Sequence, residues 1–544
     1  MSAQNLKIVT AAQMAGLEQA SQRHGVSTDT LMENAGLAVA QAARDQLGSV
    51  AGTSLLVLVG PGNNGADGLV TARHLRRWGA EVAVYVVAQR PDPDPKMMAA
   101  LHYGVKVYYA SEDGSLDRLT SWIGRSRLVI DAVLGTGRAR PLEGPVKQIM
   151  QRLNVGRGLV NRPQVLAVDL PTGLNADTGE VDPAGLVADL TVALGFPKVG
   201  LLTFPGVDRV GRLKVVGIGL PEGMPEEQAV DLELLTPNWV GGQLPVRPLN
   251  SHKGTFGHLL VVAGSRNYVG AAFLVAQSAI RVGAGLVTLA TPESVYPIVA
   301  GKLTEVIHLP LPEDADGRIH PRAVDLIRPK LAAYDALAVG SGMGWSAGTA
   351  EFLGQLLLDW PLDRPLDRPL NQLAVVVDAD GLNNLSGLTN WWRRMSLPMV
   401  VTPHPGEMAT LTGTSPGEVQ RDRVQTARHW SAQWRVTVVL KGANTVVARP
   451  DGPVRVSPFA NPGLASGGTG DVLTGIIGGL MAQGLNPDLA ACCGVYLHGQ
   501  AGEVVTQKLG DAGTVASDLI QELPGTIKWL KDVTKVCHQK IINY

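Results

Sequence analysis

Short runs of consecutive apolar residues, each ending in a polar or glycine-bearing loop, recur along this chain and constrain its fold more than any other feature. In the first half SLLVLVG (54–60), EVAVYVV (81–87), RLVIDAV (127–133), QVLAVDL (164–170) and LTVAL (190–194) have strand length and lack the alternation of a half-exposed strand. Helical patterns at 64–78 and 95–103 lie between them. Strands buried on both faces and alternating with helices predict a doubly wound, mainly parallel sheet. The alternation restarts at HLLVVAG (258–264) and continues through LVTLAT (286–291), ALAVGSG (336–342), LAVVVDAD (373–380), MVVTPHPGE (399–407) and VTVVLKG (436–442). Between the halves, residues 221–250 are rich in Pro, Gly and acids without sustained periodicity, and read as a linker. Two α/β domains are therefore expected, over 1–228 and 236–530; 544 residues exceed what one ordinary core holds. Ahead of the first sheet, residues 30–47 carry apolar side chains at helical spacing, with Thr28 and Asp29 as possible caps. They read as a helix packed on the domain.

Composition excludes some classes of function. Forty-seven basic residues against 48 acidic ones leave no basic surplus of the kind a non-specific nucleic-acid binder carries. Of three cysteines, Cys492 and Cys493 are adjacent and Cys537 lies apart, so neither a disulfide framework nor a zinc signature is predicted, and a cytoplasmic setting fits. The first residues show no signal-peptide pattern. The most apolar stretch, Val472 to Ala482, is too short to span a bilayer and reads as a buried helix. No nucleic-acid or membrane partner is expected. The repeat PLDRPLDRPL (361–370) reads as a solvated insertion, and the tail 527–544 is helical in pattern.

The sharpest chemical signal is NPGLASGGTGDVLTGIIGGLMAQG (461–484), where a glycine-rich turn leads through Asp471 into an apolar helix. Free amides at a helix N-terminus form an anion site, and glycines let backbone approach phosphate. An acid there can accept a proton from an attacking hydroxyl. Taken alone, the five residues 466–470 with Asp471 fit a capped loop equally well. VTPHPGE (401–407), VVLKGANTVV (438–447) and VVVDADGLNNL (375–385) add polar groups at further strand ends, which packing alone does not explain.

HKGTFGHLLVVAG (252–264), GAAFLVAQSAIRVGAGLVTLATP (270–292), VGSGMG (339–344), DADGLN (378–383), TPHPGEM (402–408), KGANT (441–445) and SGGTGDVL (466–473) together resemble the ribokinase-like NAD(P)HX dehydratases, over residues 236–525. The resemblance implies that Lys441, Gly442, Ala443, Asn444, Thr445 and Gly470 hold ADP or ATP with Mg2+, ADP being the expected donor. It implies that Ala272, Gly344, His404 and Asp471 line the hydrate side, with Asp471 as base. Amides of Gly467, Gly468, Thr469 and Gly470 would stabilise the transferred phosphoryl group. Phosphorylating the hydroxyl on ring carbon 6 turns a poor leaving group into a good one, and elimination restores NAD(P)H. Ser341 stands where the family usually has proline.

In the first half GPGNNGADG (60–68) follows a strand and opens a helix. Gly60, Gly62 and Gly65 fit a dinucleotide fingerprint, but EVAVYVVAQ (81–89) lacks the acid that a Rossmann cofactor site needs at the end of the next strand. Asn64, Asp131 and Thr172 offer hard oxygens from separate strand ends, a set that suits a monovalent cation; singly, each is more often a turn or cap residue. With DAVLGTG (131–137), AVDLPTGLNADTG (167–179) and GFPKVGL (195–201), this loop resembles the NAD(P)HX epimerases over residues 10–225. The resemblance implies K+ at Asn64, Asp131 and Thr172. It implies hydrate contacts at Asn63, Asn64, Gly65, Ala66, Asp67, at Gly135, Thr136, Gly137, Arg138, Ala139, Arg140, Pro141, and at Asp169. Asp169 is the first acid–base candidate and Lys198 the second. Ala66 replaces a usual glycine, which would strain a left-handed position, and Thr172 replaces serine with its hydroxyl kept.

The expected architecture is a Rossmann-like doubly wound domain followed by a ribokinase-like α/β domain. The expected activity is repair of NADHX and NADPHX, epimerising R and S forms and dehydrating S, by a homo-oligomer. Two alternatives stay open at this point: a plain small-molecule kinase in the second half, and a catalytically silent binding module in the first.

Overall fold

The computed structural model describes residues 5–137, 141–155, 162–358 and 373–542, without the side chains of 535–542. It divides into two compact units, Leu6–Leu232 and Met1–Asn5 with Glu233–Tyr544.

In the first unit seven strands form one sheet: β1 (Ser54–Val59), β2 (Glu81–Val86), β3 (Lys106–Tyr109), β4 (Leu128–Ala132), β5 (Gln164–Val168), β6 (Leu190–Leu194) and β7 (Arg212–Val216). They lie in the order β3-β2-β1-β4-β5-β6-β7, every pair parallel. Successive residues of β1 feed opposite cores. Leu55, Val57 and Val59 pack with helices α1 (Ala11–Arg23), α2 (Thr28–Leu47) and α3 (Asn63–Arg77), while Leu56 and Leu58 pack with Trp122, Ile149 and Met150. Burial on both faces is why these strands read as unbroken apolar runs.

The second unit continues with β8 (His258–Val262), β9 (Leu286–Pro292), β10 (Ile307–Leu311), β11 (Ala336–Val339), β12 (Ala374–Val377), β13 (Met399–Val401), β14 (Thr437–Leu440), β15 (Val446–Ala448) and β16 (Val454–Val456). Their order is β16-β15-β14-β13-β12-β11-β8-β9-β10. All pairs are parallel except the terminal hairpins β14–β15 and β15–β16. Three helices cover one face: α4 (Val269–Arg281), α5 (Thr469–Ala482) and α6 (Pro487–Leu509). The stretch read as a buried helix lies inside α5. Its glycines have a packing reason. A β-carbon at Gly475 would overlap the Ser278 hydroxyl and the Val275 carbonyl, and one at Gly479 would lie 2.5 Å from Val282 Cγ1. Spaced four apart, they let α5 cross α4 backbone to backbone.

The doubly wound expectation holds in both units, with three corrections. β3, β7 and β10 do not announce themselves as apolar runs, because as edge strands they are largely half-exposed. Ser27, rather than Thr28 or Asp29, caps α2: its extended backbone lets the hydroxyl accept from Thr30 N, and both predicted caps are already helical. The stretch read as a linker holds short ordered elements at Pro225–Gln228, Leu232–Leu234 and Pro237–Gln243. The repeat at 361–370 lies outside the described residues. Among the described residues no helix is long and apolar enough to cross a membrane.

Helix propensity favours Ala over Gly by about 1 kcal/mol, so the two substitutions below separate propensity from packing. Gly475→Ala should destabilise the second unit by about 1–3 kcal/mol, since overlap with main chain outweighs propensity. Gly525→Ala, in helix Ala516–Ile542 with nothing within 4 Å of the added carbon, should stabilise it by up to about 1 kcal/mol. Urea midpoints that move the two variants in opposite directions would bear this out.

Candidate functional site

Each sheet reverses its strand order once, and loops opening at such a point leave a crevice for ligand. In the first unit the reversal lies between β1 and β4. Gly60 N donates to Ala132 O at 3.0 Å, and a β-carbon at Gly60 would overlap the Val133 carbonyl. Glycine is therefore required there. The Arg90 guanidinium, held by Asp94 at 2.7 Å, clips the carbonyls of Gly60 and Gly62 from below. The next residues begin α3, whose N-terminal cap Gly62 has no side chain to occupy its first amides. A cavity of about 440 Å³ opens above them, lined by Asn63, Asn64, Asp67, Gly135, Thr136 and Gly137 among others.

Asn64, Asp131 and Thr172 meet through Leu134. Asn64 Nδ2 donates to Leu134 O at 3.0 Å, and Leu134 N donates to Thr172 Oγ1 at 3.2 Å. Thr172 in turn donates its hydroxyl and its amide to the two Asp131 carboxylate oxygens, both at 2.8 Å. Asp131 is fully buried with no cationic side chain beside it. Burial pushes its carboxyl up to about 6, against the hydrogen bonds from Thr172 and Val133. Turning the Asn64 amide nitrogen to Leu134 leaves its buried Oδ1 without a partner. An orphaned amide oxygen near an uncompensated carboxylate fits a bound cation. Among the described residues no cluster of three or more His, Cys, Asp or Glu could hold a metal; the oxygens gathered here are one carboxylate with amide and hydroxyl oxygens.

Deeper in the same cavity Lys198 is fully buried and donates to Asp169 Oδ1 at 2.5 Å and to Leu194 O at 3.0 Å. Asp169 has φ +67° and also accepts from Leu194 N at 3.0 Å. A non-glycine residue held in the left-handed region at the end of β5 is strain of the kind that gathers at functional sites. Burial, then the Asp169 and Glu18 charges, push the Asp67 carboxyl well above its usual range despite Lys198 and Lys96.

In the second unit the carboxyl ends of β11, β12, β13 and β14 face the N-terminus of α5. Asp378, after β12, is almost fully buried and accepts from Lys441 Nζ at 2.6 Å, Thr402 Oγ1 at 2.7 Å and Thr474 Oγ1 at 2.8 Å. Lys441 Nζ also lies 3.6 Å from Glu407 Oε2. Burial opposes the ammonium charge, but Asp378 and Glu407 outweigh it and raise its pKa. Asp471 sits in the first turn of α5 without capping it, since the cap is Gly468 at φ +88°. Burial first, then the Asp378 and Asp380 charges, lift its carboxyl to about 6, with Ser341 and Lys441 opposing. Ser341 thus places a buried hydroxyl near Asp471. His404 caps its own helix, Pro405–Thr412: its Nδ1 accepts from Gly406 N and Glu407 N, while Nε2 lies 3.3 Å from Glu407 Oε1.

The structure gathers most of the predicted residues, though unevenly. Asn63, Asn64, Asp67, Gly135, Thr136, Gly137, Asp169 and Lys198 line one cavity. Gly65 instead packs on the Gly60 carbonyl, Ala66 is a buried helical residue with no left-handed strain, and Pro141 is exposed. Arg138, Ala139 and Arg140 lie outside the described residues. In the second unit Lys441 turns inward to Asp378. Gly442 has φ +140°, Thr445 donates to Gly442 O at 2.7 Å, and Asn444, at φ +50°, keeps a buried Oδ1 without a partner. Ala272 is wholly buried in the core, and Gly344 N donates to Asp380 Oδ2 at 2.9 Å.

Sequence reasoning missed the supports. Arg423 binds the Leu440, Lys441 and Ala443 carbonyls beneath the Lys-Gly turn, as Arg90 does beneath its own loop. His498, kept neutral by burial that lowers it to about 4, donates from Nε2 to Thr469 O at 2.9 Å. It missed Glu18, and it missed that Thr28, Leu31, Met32 and Ala35 of α2 face the cavity. Helical spacing marks that face as apolar but does not say that part of it meets a ligand.

Residues 259–525 match the family described as NAD(P)H-hydrate dehydratase, and residues 28–200 match that described as YjeF-related protein N-terminus. The bifunctional NAD(P)H-hydrate repair enzyme Nnr of Moorella thermoacetica is 40% identical over 531 residues, 96% of this chain and 97% of that one. Its counterpart in Thermofilum pendens is 36% identical over 519 residues, 94% of each. The crystal structure of ADP/ATP-dependent NAD(P)H-hydrate dehydratase from Bacillus subtilis, co-crystallised with ATP/Mg2+, is 32% identical with a TM-score of 0.46, covering 56% of this chain and 100% of that one. Likeness along nearly the whole of both chains, with both segments matched, makes this chain a member of the bifunctional NAD(P)H-hydrate repair enzyme family.

Proposed function

We propose that this chain repairs hydrated nicotinamide cofactors: the first unit (1–228) interconverts R- and S-NAD(P)HX, and the second (236–530) dehydrates the S form at the expense of ADP or ATP. The observation that carries the second activity is Asp471, a carboxylate lifted toward neutrality in the first turn of a glycine-capped helix beside Lys441 and Asp378. A base poised near the working pH is suited to removing a hydroxyl proton.

In this reading Asp471 takes the proton from the hydroxyl on ring carbon 6 as its oxygen attacks the terminal phosphorus of the nucleotide. Amides of Gly467 to Gly470 stabilise the equatorial oxygens, and Lys441 with the 442–445 turn orients the phosphates. Phosphate then leaves carbon 6 with the bonding pair, carbon 5 loses a proton, and the ring double bond returns. Mg2+ bound with the nucleotide would neutralise phosphate charge. Asp378 is occupied by three donors and acts as the anchor that fixes Lys441. Ala272, Gly344 and His404 shape the hydrate side.

In the first unit K+ held by Asn64, Asp131 and Thr172 would stitch the β1, β4 and β5 loops together and offset the buried Asp131 charge. Asp169, paired with Lys198, is the acid–base group, and the amides at the start of α3 receive the substrate's phosphates. A cytoplasmic homo-oligomer acting on both NADHX and NADPHX belongs to the same reading, and the cysteine content supports the compartment.

The deciding test mixes the full chain with R and S hydrate, K+, Mg2+ and ADP or ATP, and follows dihydronicotinamide absorbance. Recovery beyond the S fraction supports both activities, and recovery that stops there removes the first. A stable phosphorylated alcohol with no NAD(P)H would favour a small-molecule kinase instead. Asp471→Asn should lower dehydration about 10²–10⁴-fold and leave epimerisation intact. Because Asp471 must be ionised and burial lifts its carboxyl to about 6, wild-type kcat/KM should rise through that pH and level off above it. K+ and a proton compete for Asp131, so the K+ requirement of epimerisation, titrated between pH 5 and 8, should sharpen below about 6.

A further inference from the structure

The cavity of the first unit is lined in part by α1, a helix that carries none of the site motifs. Ala11, Ala15 and Glu18 of this helix line the cavity. Spaced by four and three residues, they form one stripe along the helix. Two alanines leave room, and the third position brings a carboxyl. The helix is tied to the segment that carries Lys198. Val9, just before it, pairs with Lys198 as a parallel bridge, with Val9 N donating to Pro197 O at 3.0 Å and Val199 N to Val9 O at 3.1 Å. Thr10 then starts the helix through a capping box with Gln13. The register that places Lys198 beneath Asp169 therefore also fixes Glu18.

The Glu18 carboxyl is half-buried and makes no hydrogen bond or ion pair among the described residues. Lining the same cavity are Asp67 from α3, Asp169 after β5 and Lys198 after β6. Burial raises the Glu18 carboxyl, with Lys198 pulling it down and Asp169 pushing it up. Asp169 holds the lysine directly, so the two carboxyls differ: one is paired with a cation, the other stands free toward the ligand. A paired carboxyl and an unpaired one lining the same cavity are the groups an acid–base exchange needs.

We propose that Glu18 is a second catalytic residue of epimerisation, partnering Asp169 across the cavity; this rests on the epimerase reading of the first unit. For one epimer, protonated Glu18 gives its proton to the hydroxyl on ring carbon 6. The carbon–oxygen bond breaks, its electron pair leaves with water, and the ring-nitrogen lone pair forms the nitrogen–carbon double bond. Water adds to the other face of carbon 6, and Asp169 takes the surplus proton. The other epimer runs the same steps with donor and acceptor exchanged, and solvent resets the two carboxyls.

The test uses the full chain, K+ and hydrate enriched in one epimer, with the R/S ratio followed by chromatography. Glu18→Gln keeps the shape and should lower epimerisation kcat at least 100-fold with KM within about threefold. Glu18→Asp should recover part of the rate. The wild-type pH–rate bell should lose its alkaline limb in Glu18→Gln, which a purely structural role would not cause. Nucleotide-dependent dehydration of the S form, measured on the same preparation, should be unchanged. A Glu18→Gln enzyme with wild-type rate and pH profile overturns the proposal, as does a rate loss that keeps both limbs. A wild-type chain that never interconverts the epimers sinks the epimerase reading, and the proposal with it.

Discussion

Backbone lies against backbone at the strand-order reversal of the first sheet, and the site depends on it. Gly60 has no β-carbon because the Val133 carbonyl occupies that space, and Gly65 has none because Gly60 O does. Only this close stacking brings the loop after β1 and the loop after β4 near enough for Asn64 to reach Leu134 O. From Leu134 the chain of hydrogen bonds passes to Thr172 and Asp131, three strand ends joined through one residue. A side chain at Gly60 would part the loops, and the oxygens proposed to hold a cation would no longer converge.

The two units answer the same electrostatic difficulty differently. Both bury a carboxylate at the end of a central strand, which costs several kcal/mol unless it is compensated. Asp378 is compensated within the chain by Lys441 and two hydroxyls. Asp131 has only neutral donors and is left lifted toward neutrality. A site that supplies its own cation is a finished anchor, whereas one that lacks it is prepared for a cation from outside. Nearby, Lys198 is bonded to Asp169, and burial first, then the Asp169 charge, leaves Asp67 and Glu18 raised although Lys198 opposes both.

Legibility in the sequence followed burial and locality. β1, β4, β8 and β12, buried on both faces, stand out as apolar runs, and the loops that follow them carry much of the candidate site. β3, β7 and β10 are edge strands with one wet face and were not legible. Asp131 and Asp471 sit in short motifs next to glycine and were legible. Arg90 and Arg423 were not, because each supports its loop from a point about 20–30 residues away along the chain. Glu18 is harder still: within α1 it looks like any surface glutamate, and its place in the cavity follows from long-range contacts such as the Val9–Lys198 bridge.

The same physics decides which carboxylate of the second unit can act as a base. Asp378 is the more buried, and burial alone would nominate it. Yet it accepts from an ammonium and two hydroxyls, and removing a substrate proton would mean surrendering that stabilisation. Asp471 lies beside it with no ammonium bonded to it, lifted by burial and by the Asp378 charge over the opposing Ser341 hydroxyl and Lys441 charge. The anchored carboxylate therefore makes its neighbour basic. Lys441 limits the effect, since its charge opposes the rise at Asp471 while its ammonium is bonded to Asp378. Catalytic readiness at the start of α5 is thus a property of the triad, and Asp471 is the member left free to exchange a proton.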